Sequence, residues 1–212
     1  MPELFKKPDK KSRKKGEKKI YVCSIGRTGF EGIVYNLIQD GYSLTEHQPS
    51  GNLSRDEVTE WYEKRRSTVE REIPDVSFAI VRHPISRIES HVKFSLYKKM
   101  LQKNEEELFD FIDHSLDNLF EENLGKNIIP SFDSALFDAT VFQYEIGMRK
   151  IADYFVENKI VKKWTKLINV KDEENVRISW GKCPVSIKDK ILRIYEQDFE
   201  QFEYDPDDFF KM

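Results

Sequence analysis

The sequence is poor in cysteine, glycine and proline, and it has no long apolar run. Its two cysteines, Cys23 and Cys183, are too few for a disulfide framework and lack metal-ligand spacing, so we expect a reducing compartment and no metal site. With nine glycines, eight prolines and 13% aromatic residues, most of the 212-residue chain is expected to fold. No run of about 18 apolar residues predicts a membrane span, and no apolar segment of a secretory signal follows the N-terminal charges. The simplest expectation is a cytoplasmic protein.

The net charge of −3 hides an uneven distribution. Residues 1–19 contain nine Lys or Arg and three acids, which leaves 26 basic and 35 acidic residues in 20–212. We therefore predict a basic, disordered arm attached to a single acidic domain. The arm is either a solvated tail or a contact for nucleic acid or anionic lipid. No aromatic residue lies between its lysines and the domain is acidic, so we do not expect a nucleic-acid partner.

Strand-like and helix-like segments alternate along the domain, which predicts an α/β fold with a central parallel sheet flanked by helices. The run 76–81 (VSFAIV) is apolar apart from one serine, as in a strand buried on both faces. The other strands are predicted at 20–23, 42–46 and 137–145, and the helices at 30–38, 55–70, 85–103, 105–120, 146–158 and 186–202.

The first strand runs through a glycine-bearing turn, residues 24–29 (SIGRTG), into a helix. Such a turn favours anion binding, because the first N–H groups of a helix have no partner within the helix and the helix dipole is positive there. Gly26 and Gly29 permit a close backbone approach, while Arg27 and Thr28 add a cation and a hydroxyl. The spacing does not match a Walker A motif, so ordinary ATP hydrolysis is not indicated.

A second strand-to-helix junction, 77–94, also places an arginine and a hydroxyl residue after a buried strand. Arg82 follows the buried strand directly, and Ser90 lies two helical turns farther on. Ligands of open α/β sheets bind outside the carboxyl ends of the strands, so the two junctions together suit two phosphates of one nucleotide. The residues alone leave a second interpretation open, in which Arg82 and Arg87 pair only with surface acids.

With these segments, the chain resembles the PAPS-dependent sulfotransferases, and within them the carbohydrate branch that includes the heparan and chondroitin enzymes. Residues 24–29 are similar to the family's loop P-K-T-G-S-T, and 78–90 (FAIVRHPISRIES) resembles F-x-F-V-R-[DN]-P-x-x-R-L-x-S. Residues 194–204 (IYEQDFEQFEY) are similar to its closing Y-x-x-D-[FY]-x-x-F-x-Y, and 137–145 is a weaker match to a strand that ends in a glutamate.

The resemblance implies a P-loop-like three-layer fold and a metal-free transfer of a sulfuryl group from PAPS to a hydroxyl of a carbohydrate or small metabolite. It also implies roles for individual residues. The 5′-phosphosulfate would be bound by Gly26, Arg27, Thr28, Gly29 and the N–H of Phe30, and Arg27 would also stabilise the leaving oxygen. Arg82 and Ser90 would bind the 3′-phosphate, and Lys182 would contact the adenosine. The general base would be His47 or Glu46, with His83 and His91 as fallbacks.

The chain departs from the family pattern at the first loop. Arg27 stands where the family has lysine, and Phe30, Glu31 and Gly32 stand at its following Ser and Thr positions. These departures favour an alternative, a PAP- or PAPS-binding relative without transfer activity that has a regulatory or scaffold role. A third hypothesis is a nucleic-acid-associated protein that acts through the basic arm.

Overall fold

The structure, a computed structural model, describes residues 18–22, 30–44, 56–57, 60–61, 64, 74–99, 104–119, 139–164 and 178–210. Its strands are β1 (Lys18–Val22), β2 (Tyr42–Leu44), β3 (Val76–Val81) and β4 (Thr140–Gln143). Its helices are α1 (Phe30–Gln39), α2 (Pro84–Lys99), α3 (Glu105–Asp117), α4 (Met148–Glu157), α5 (Val185–Ile194) and α6 (Glu196–Gln201), with short 3-10 helices at Tyr144–Ile146 and Trp180–Lys182. The described residues between 56 and 64 are also helical.

The four described strands form one parallel sheet in the order β2-β1-β3-β4. This confirms the predicted α/β class with a central parallel sheet and flanking helices. β1 leads through α1 to β2 on one side, while β3 leads through α2 and α3 to β4 on the other. The strand order therefore reverses between β1 and β3, and such a switch point opens a crevice at the carboxyl ends of the two strands.

One face of the sheet packs against α1 and α4. Alternate residues of a strand point to the same face, so β1 and β3 each contribute every second side chain to this cluster. At its centre, the rings of Phe78 and Phe155 meet edge-on with centroids 5.2 Å apart. The buried members are Ile20, Val22, Ile33, Val34, Leu37, Tyr42, Val76, Phe78, Ile80, Phe142, Ile151, Phe155 and Val161.

A second apolar cluster is built almost wholly from helices. It joins the buried faces of α2, α3, α5 and α6 with Ile178 and Trp180. Asn104 caps α3 by accepting a hydrogen bond from the N–H of Glu107, whose side chain accepts from the N–H of Asn104 in return. This helical cluster holds α2, and with it the strand-to-helix junction at Arg82, against the C-terminal part of the chain.

Several predicted boundaries are corrected by the structure. β1 begins at Lys18, two residues before the predicted strand, because its start is set by backbone pairing with β2 rather than by apolar side chains. The predicted helix 186–202 is two helices, since the chain bends at Tyr195. The helix predicted to reach 120 ends at Asp117, and β4 is shorter than 137–145. The helix predicted to reach 103 is described as far as Lys99, and 100–103 lie outside the described residues.

Candidate functional site

The sequence-predicted site falls at the carboxyl ends of β1 and β3, where the strand order reverses. In the register of the two strands, Val22 at the end of β1 lies beside Phe78, and β3 continues to Val81. The loop that follows β1 and the turn that follows β3 therefore leave the same edge of the sheet. Both predicted junctions therefore begin at the same edge of the sheet.

Part of that site lies outside the residues that the structure describes. This applies to Gly26, Arg27, Thr28 and Gly29, and to both candidate bases, Glu46 and His47. Phe30 begins α1, as predicted, but its side chain and that of Glu31 are also outside the described part. The roles of these residues remain predictions from the sequence.

Arg82 is half-buried directly after the last residue of β3. Its Nε donates a hydrogen bond to Ser86 Oγ at 2.8 Å, and its guanidinium carbon lies 4.5 Å from the centroid of the Tyr144 ring. The ring and the hydroxyl come from two different elements, so they restrict the guanidinium in two directions. An arginine restricted in this way is suited to binding an anion by its planar fork.

Ser90, the second predicted phosphate ligand at this junction, is half-buried on α2. Ser86 and Ser90 are four residues apart and so lie one above the other on the same helix face. No acidic residue occupies the first turn of α2, where the helix dipole favours negative charge. A guanidinium and two hydroxyls are thus placed along the first turns of one helix.

His83, next to Arg82, is 3% exposed and belongs to the packing of the junction. Its Nδ1 accepts a hydrogen bond from the N–H of Ile85 at 3.3 Å, and Nε2 lies 3.1 Å from the carbonyl oxygen of Asp205. These partners fit a neutral ring that carries its proton on Nε2. The rings of Phe199, Tyr204 and Phe209 surround it.

Burial lowers the pKa of His83, even though the Asp205 carbonyl and the nearby charges of Glu145, Asp208 and Asp205 act to raise it. The ring is therefore neutral at neutral pH, with both nitrogens engaged in the protein. These contacts support a structural role for His83, which the sequence analysis named only as a fallback base.

Glu145 stands beside the same turn, in the 3-10 helix that follows β4. One carboxylate oxygen accepts a hydrogen bond from the N–H of His83 at 2.9 Å, and the other accepts from the hydroxyl of Tyr204 at 2.9 Å. Burial, the charge of Glu145 and this hydrogen bond together raise the pKa of Tyr204 above its ordinary value. Glu145 thus joins the ends of β3 and β4 to the segment that follows α6.

Arg87 lies on the buried side of α2. The Nη2 atom of Arg87 is 3.3 Å from a carboxylate oxygen of Asp198, and the two side chains are 0% and 1% exposed. Its guanidinium carbon also lies 5.5 Å from the centroid of the Tyr195 ring. Arg87 does pair with an acid, as the second interpretation of the sequence held, but that acid is in the core.

These contacts link two of the three segments that carry the family resemblance. Phe199 and Tyr204 of the closing segment pack against His83, and Asp198 pairs with Arg87. The sequence analysis named Glu145, Asp198 and Tyr204 only as parts of that resemblance and assigned them no contacts. No local sequence pattern indicates these contacts, because the partners are 59 to 111 positions apart in the sequence.

Lys182 is 70% exposed in the 3-10 helix Trp180–Lys182, and its Nζ lies 2.8 Å from a carboxylate oxygen of Glu105. His91, the other fallback base, is buried on α2 and stacks at 6.2 Å on Phe111. The predicted ligands therefore differ in their surroundings: Arg82 and Ser90 lie near the switch point, while Lys182 extends toward α3.

Within the described ranges, no three His, Cys, Asp or Glu side chains are grouped as metal ligands. Nor does any described helix have the length and apolar character needed to cross a membrane.

Comparison with known proteins found no matching family model, no matching curated protein and no matching solved structure.

Proposed function

We propose that the protein is a PAPS-dependent sulfotransferase with a P-loop-like three-layer fold, which transfers a sulfuryl group to a hydroxyl of a carbohydrate or small metabolite. The observation that carries the proposal is the position of Arg82. It stands at the carboxyl end of β3, which pairs with β1, and Ser86 and Ser90 lie along the adjoining helix. Two anion-binding junctions at one switch point suit a nucleotide with phosphates at both ends of its ribose.

In this proposal, Arg82 binds the 3′-phosphate of the nucleotide, and Ser90 donates its hydroxyl to the same group. The phosphate lies near the first turn of α2, where the helix dipole supports its charge. ADP has no 3′-phosphate, so these contacts select PAP and PAPS over ADP.

The loop after β1 binds the opposite end of the nucleotide. Thr28 and the N–H groups of Gly29 and Phe30 hold the 5′-phosphate, and Arg27 stabilises the negative charge that develops on its oxygen. The acceptor oxygen forms a bond to sulfur as the bond from sulfur to that phosphate oxygen breaks. His47 or Glu46 takes the proton from the acceptor hydroxyl, and PAP leaves with the electron pair.

Most of the catalysis is positioning and charge stabilisation, as in the analogous transfer of phosphoryl groups. His47 suits the role of base because its unperturbed pKa of about 6.5 is close to neutral. Lys182 is proposed as a contact to the adenosine, which requires its side chain to turn from Glu105.

A second candidate function is a PAP-binding relative that transfers nothing. It is favoured by Arg27, which replaces the lysine of the family pattern, and by Glu31, an acid at the start of the helix that would hold the 5′-phosphate. Both candidates require the same nucleotide site and differ only in the chemistry at the 5′ end.

The first test is thermal stability of the protein with PAP and with ADP. A ligand that binds only the folded state raises the melting temperature, so PAP should raise it and ADP should not. Arg82→Ala should strongly reduce the PAP shift. Absence of a shift at millimolar PAP would overturn both functions that need this nucleotide.

Transfer of radiolabelled sulfate from PAPS to a panel of glycans and small alcohols separates the two candidates. The sulfotransferase proposal predicts a labelled product, and Arg27→Ala should remove it while PAP still binds. PAP binding without transfer to any acceptor would favour the second candidate. Unimpaired transfer by Arg27→Ala would refute the leaving-group role of Arg27.

A further inference from the structure

The two residues that follow β3 contact the two residues that follow β4, in the same register as the paired strands. Val81 lies beside Gln143 at the end of the ladder. Arg82 then contacts Tyr144, and His83 contacts Glu145, so each residue meets the one next along in the same register. The Arg82 side chain and the backbone N–H of His83 thus continue, through side chains of the partner residues, the pairing of the sheet.

The hydrogen bond from His83 to Glu145 acts on the peptide unit that joins Arg82 to His83. Val81 belongs to the sheet, so both ends of Arg82 are tied to neighbouring structure. Pro84 restricts the conformation of His83 as well, because the residue before a proline avoids the helical region. One carboxylate oxygen of Glu145 therefore holds the backbone of Arg82 directly at its C-terminal side, and the packing of the buried His83 ring supports it.

The other oxygen of Glu145 is held by the Tyr204 hydroxyl, so the carboxylate itself has a fixed direction. Its two donors come from the turn after β3 and from the segment after α6. Although Glu145 is exposed as a residue, both of its oxygens have partners in the protein. A side chain that only improved solubility would not need two oriented donors.

We infer that Glu145 is a positioning residue, which holds the Arg82 turn in the geometry that binds the 3′-phosphate. The inference rests on the proposed function, because it assigns Glu145 an effect on nucleotide binding through Arg82. Glu145 itself does not contact the nucleotide. Its contribution is to affinity, so replacing Glu145 should change the KM for PAPS far more than kcat.

The test is the dissociation constant of PAP, measured by calorimetry for the full chain and three variants. Glu145→Ala removes the acceptor and should weaken PAP binding about tenfold, which is the size of coupling expected between residues of one hydrogen-bond network. Glu145→Asp keeps the charge but is too short to reach His83, so it should weaken binding similarly. Glu145→Gln keeps an acceptor oxygen at the same reach and should bind within about twofold of the wild type.

Glu157→Ala is the matched control, since it removes an exposed glutamate from the end of α4 without touching the turn. It should leave the affinity for PAP unchanged. A double variant gives the sharpest measurement: with Arg82→Ala already present, Glu145→Ala should add less than about a twofold loss, because coupled residues are not additive.

The outcomes separate the inference from the proposed function. Wild-type protein that does not bind PAP would overturn both. If the wild type binds PAP and both Glu145→Ala and Glu145→Asp bind it with wild-type affinity, only the positioning role is overturned. Full affinity in Glu145→Asp with a loss in Glu145→Gln would also overturn it, since the charge rather than the contact would then be responsible. If Glu145→Ala does not fold, the PAP affinities of Glu145→Asp and Glu145→Gln still test the positioning role.

Discussion

Arg82 and Arg87 lie on one short segment but in contrasting regions of the molecule. Arg82 stands half-buried at the carboxyl end of the sheet, where it meets a hydroxyl and an aromatic ring. Arg87 is wholly buried among helices and faces the carboxylate of Asp198. Both regions use the same functional group, yet only the strand-end region combines a cation with hydroxyls along a helix start. The difference shows that the surroundings of an arginine, rather than its place in a motif, decide whether it suits ligand binding or belongs to the core.

The largest expected effect comes from breaking the pair in the core. Asp198→Ala leaves the Arg87 charge buried without its partner carboxylate, and we expect the free energy of unfolding to fall by about 3–5 kcal/mol. Urea denaturation followed by circular dichroism measures this change.

The control for Asp198→Ala replaces both charges at once. Arg87→Met with Asp198→Leu removes the pair and leaves apolar side chains, and such replacements are often neutral or stabilising. We expect this double variant to be more stable than Asp198→Ala alone. Equal stability of the two would contradict the view that the uncompensated charge causes the loss.

The strand-end arginine should show the opposite pattern. Arg82→Ala should weaken PAP binding by roughly 10- to 100-fold, the loss expected for hydrogen bonds to a charged group, while the unfolding free energy changes by less than about 1 kcal/mol. Arg82→Lys keeps the charge but loses the planar fork, so its affinity for PAP should lie between that of the wild type and that of Arg82→Ala. Unchanged affinity in Arg82→Ala would remove this residue from the site.

The pH dependence of stability sharpens the comparison further, because His83 lies between the two arginines. Its pKa is lowered in the folded state, so the unfolded chain binds more protons when the pH falls below about 6.5. Stability is therefore retained above that pH and lost as the pH falls from about 6.5 toward the folded-state pKa.

Unfolding free energies measured between about pH 7.5 and pH 5 check this expectation. His83→Asn retains an acceptor for the N–H of Ile85 but cannot titrate, so its stability should fall less steeply in this window. A slope as steep as that of the wild type would assign the acid sensitivity to other groups.

The smallest effect is expected at Lys182, far out on the surface. Its pair with Glu105 is exposed, and Lys182→Ala should leave the melting temperature unchanged. If Lys182 also contacts the adenosine, PAP affinity should fall about two- to fivefold, the range of an exposed charge interaction. Affinity equal to that of the wild type would exclude Lys182 from the nucleotide site.

The sequence was sufficient for those parts of the fold that rest on local patterns. β3 was predicted at its observed limits, because five of its six residues are apolar and three of these are β-branched, as is typical of a strand buried on both faces. The end of α1 was also anticipated: Gly41 follows it with φ of 91°, a conformation that glycine adopts without strain.

Other features depend on residues that are distant in the sequence. The bend between α5 and α6 was missed because apolar spacing continues through Tyr195, while the bend brings Tyr195 and Asp198 to Arg87. The turn at Arg82 was predicted, but its support by Glu145 was not, since no local pattern indicates that contact. The loop 24–29 remains a prediction, because it lies outside the described residues.

The contacts that complete the Arg82 turn also have a consequence for the order of folding. They join Gln143 to Phe202, Glu145 to Tyr204 and His83 to Asp205, over separations of 59 to 122 positions. Closing such long loops is slow compared with forming local helices. During synthesis, the sheet strands emerge well before residue 205, so the turn reaches its final geometry late. We therefore expect refolding molecules to regain secondary structure first and nucleotide affinity last.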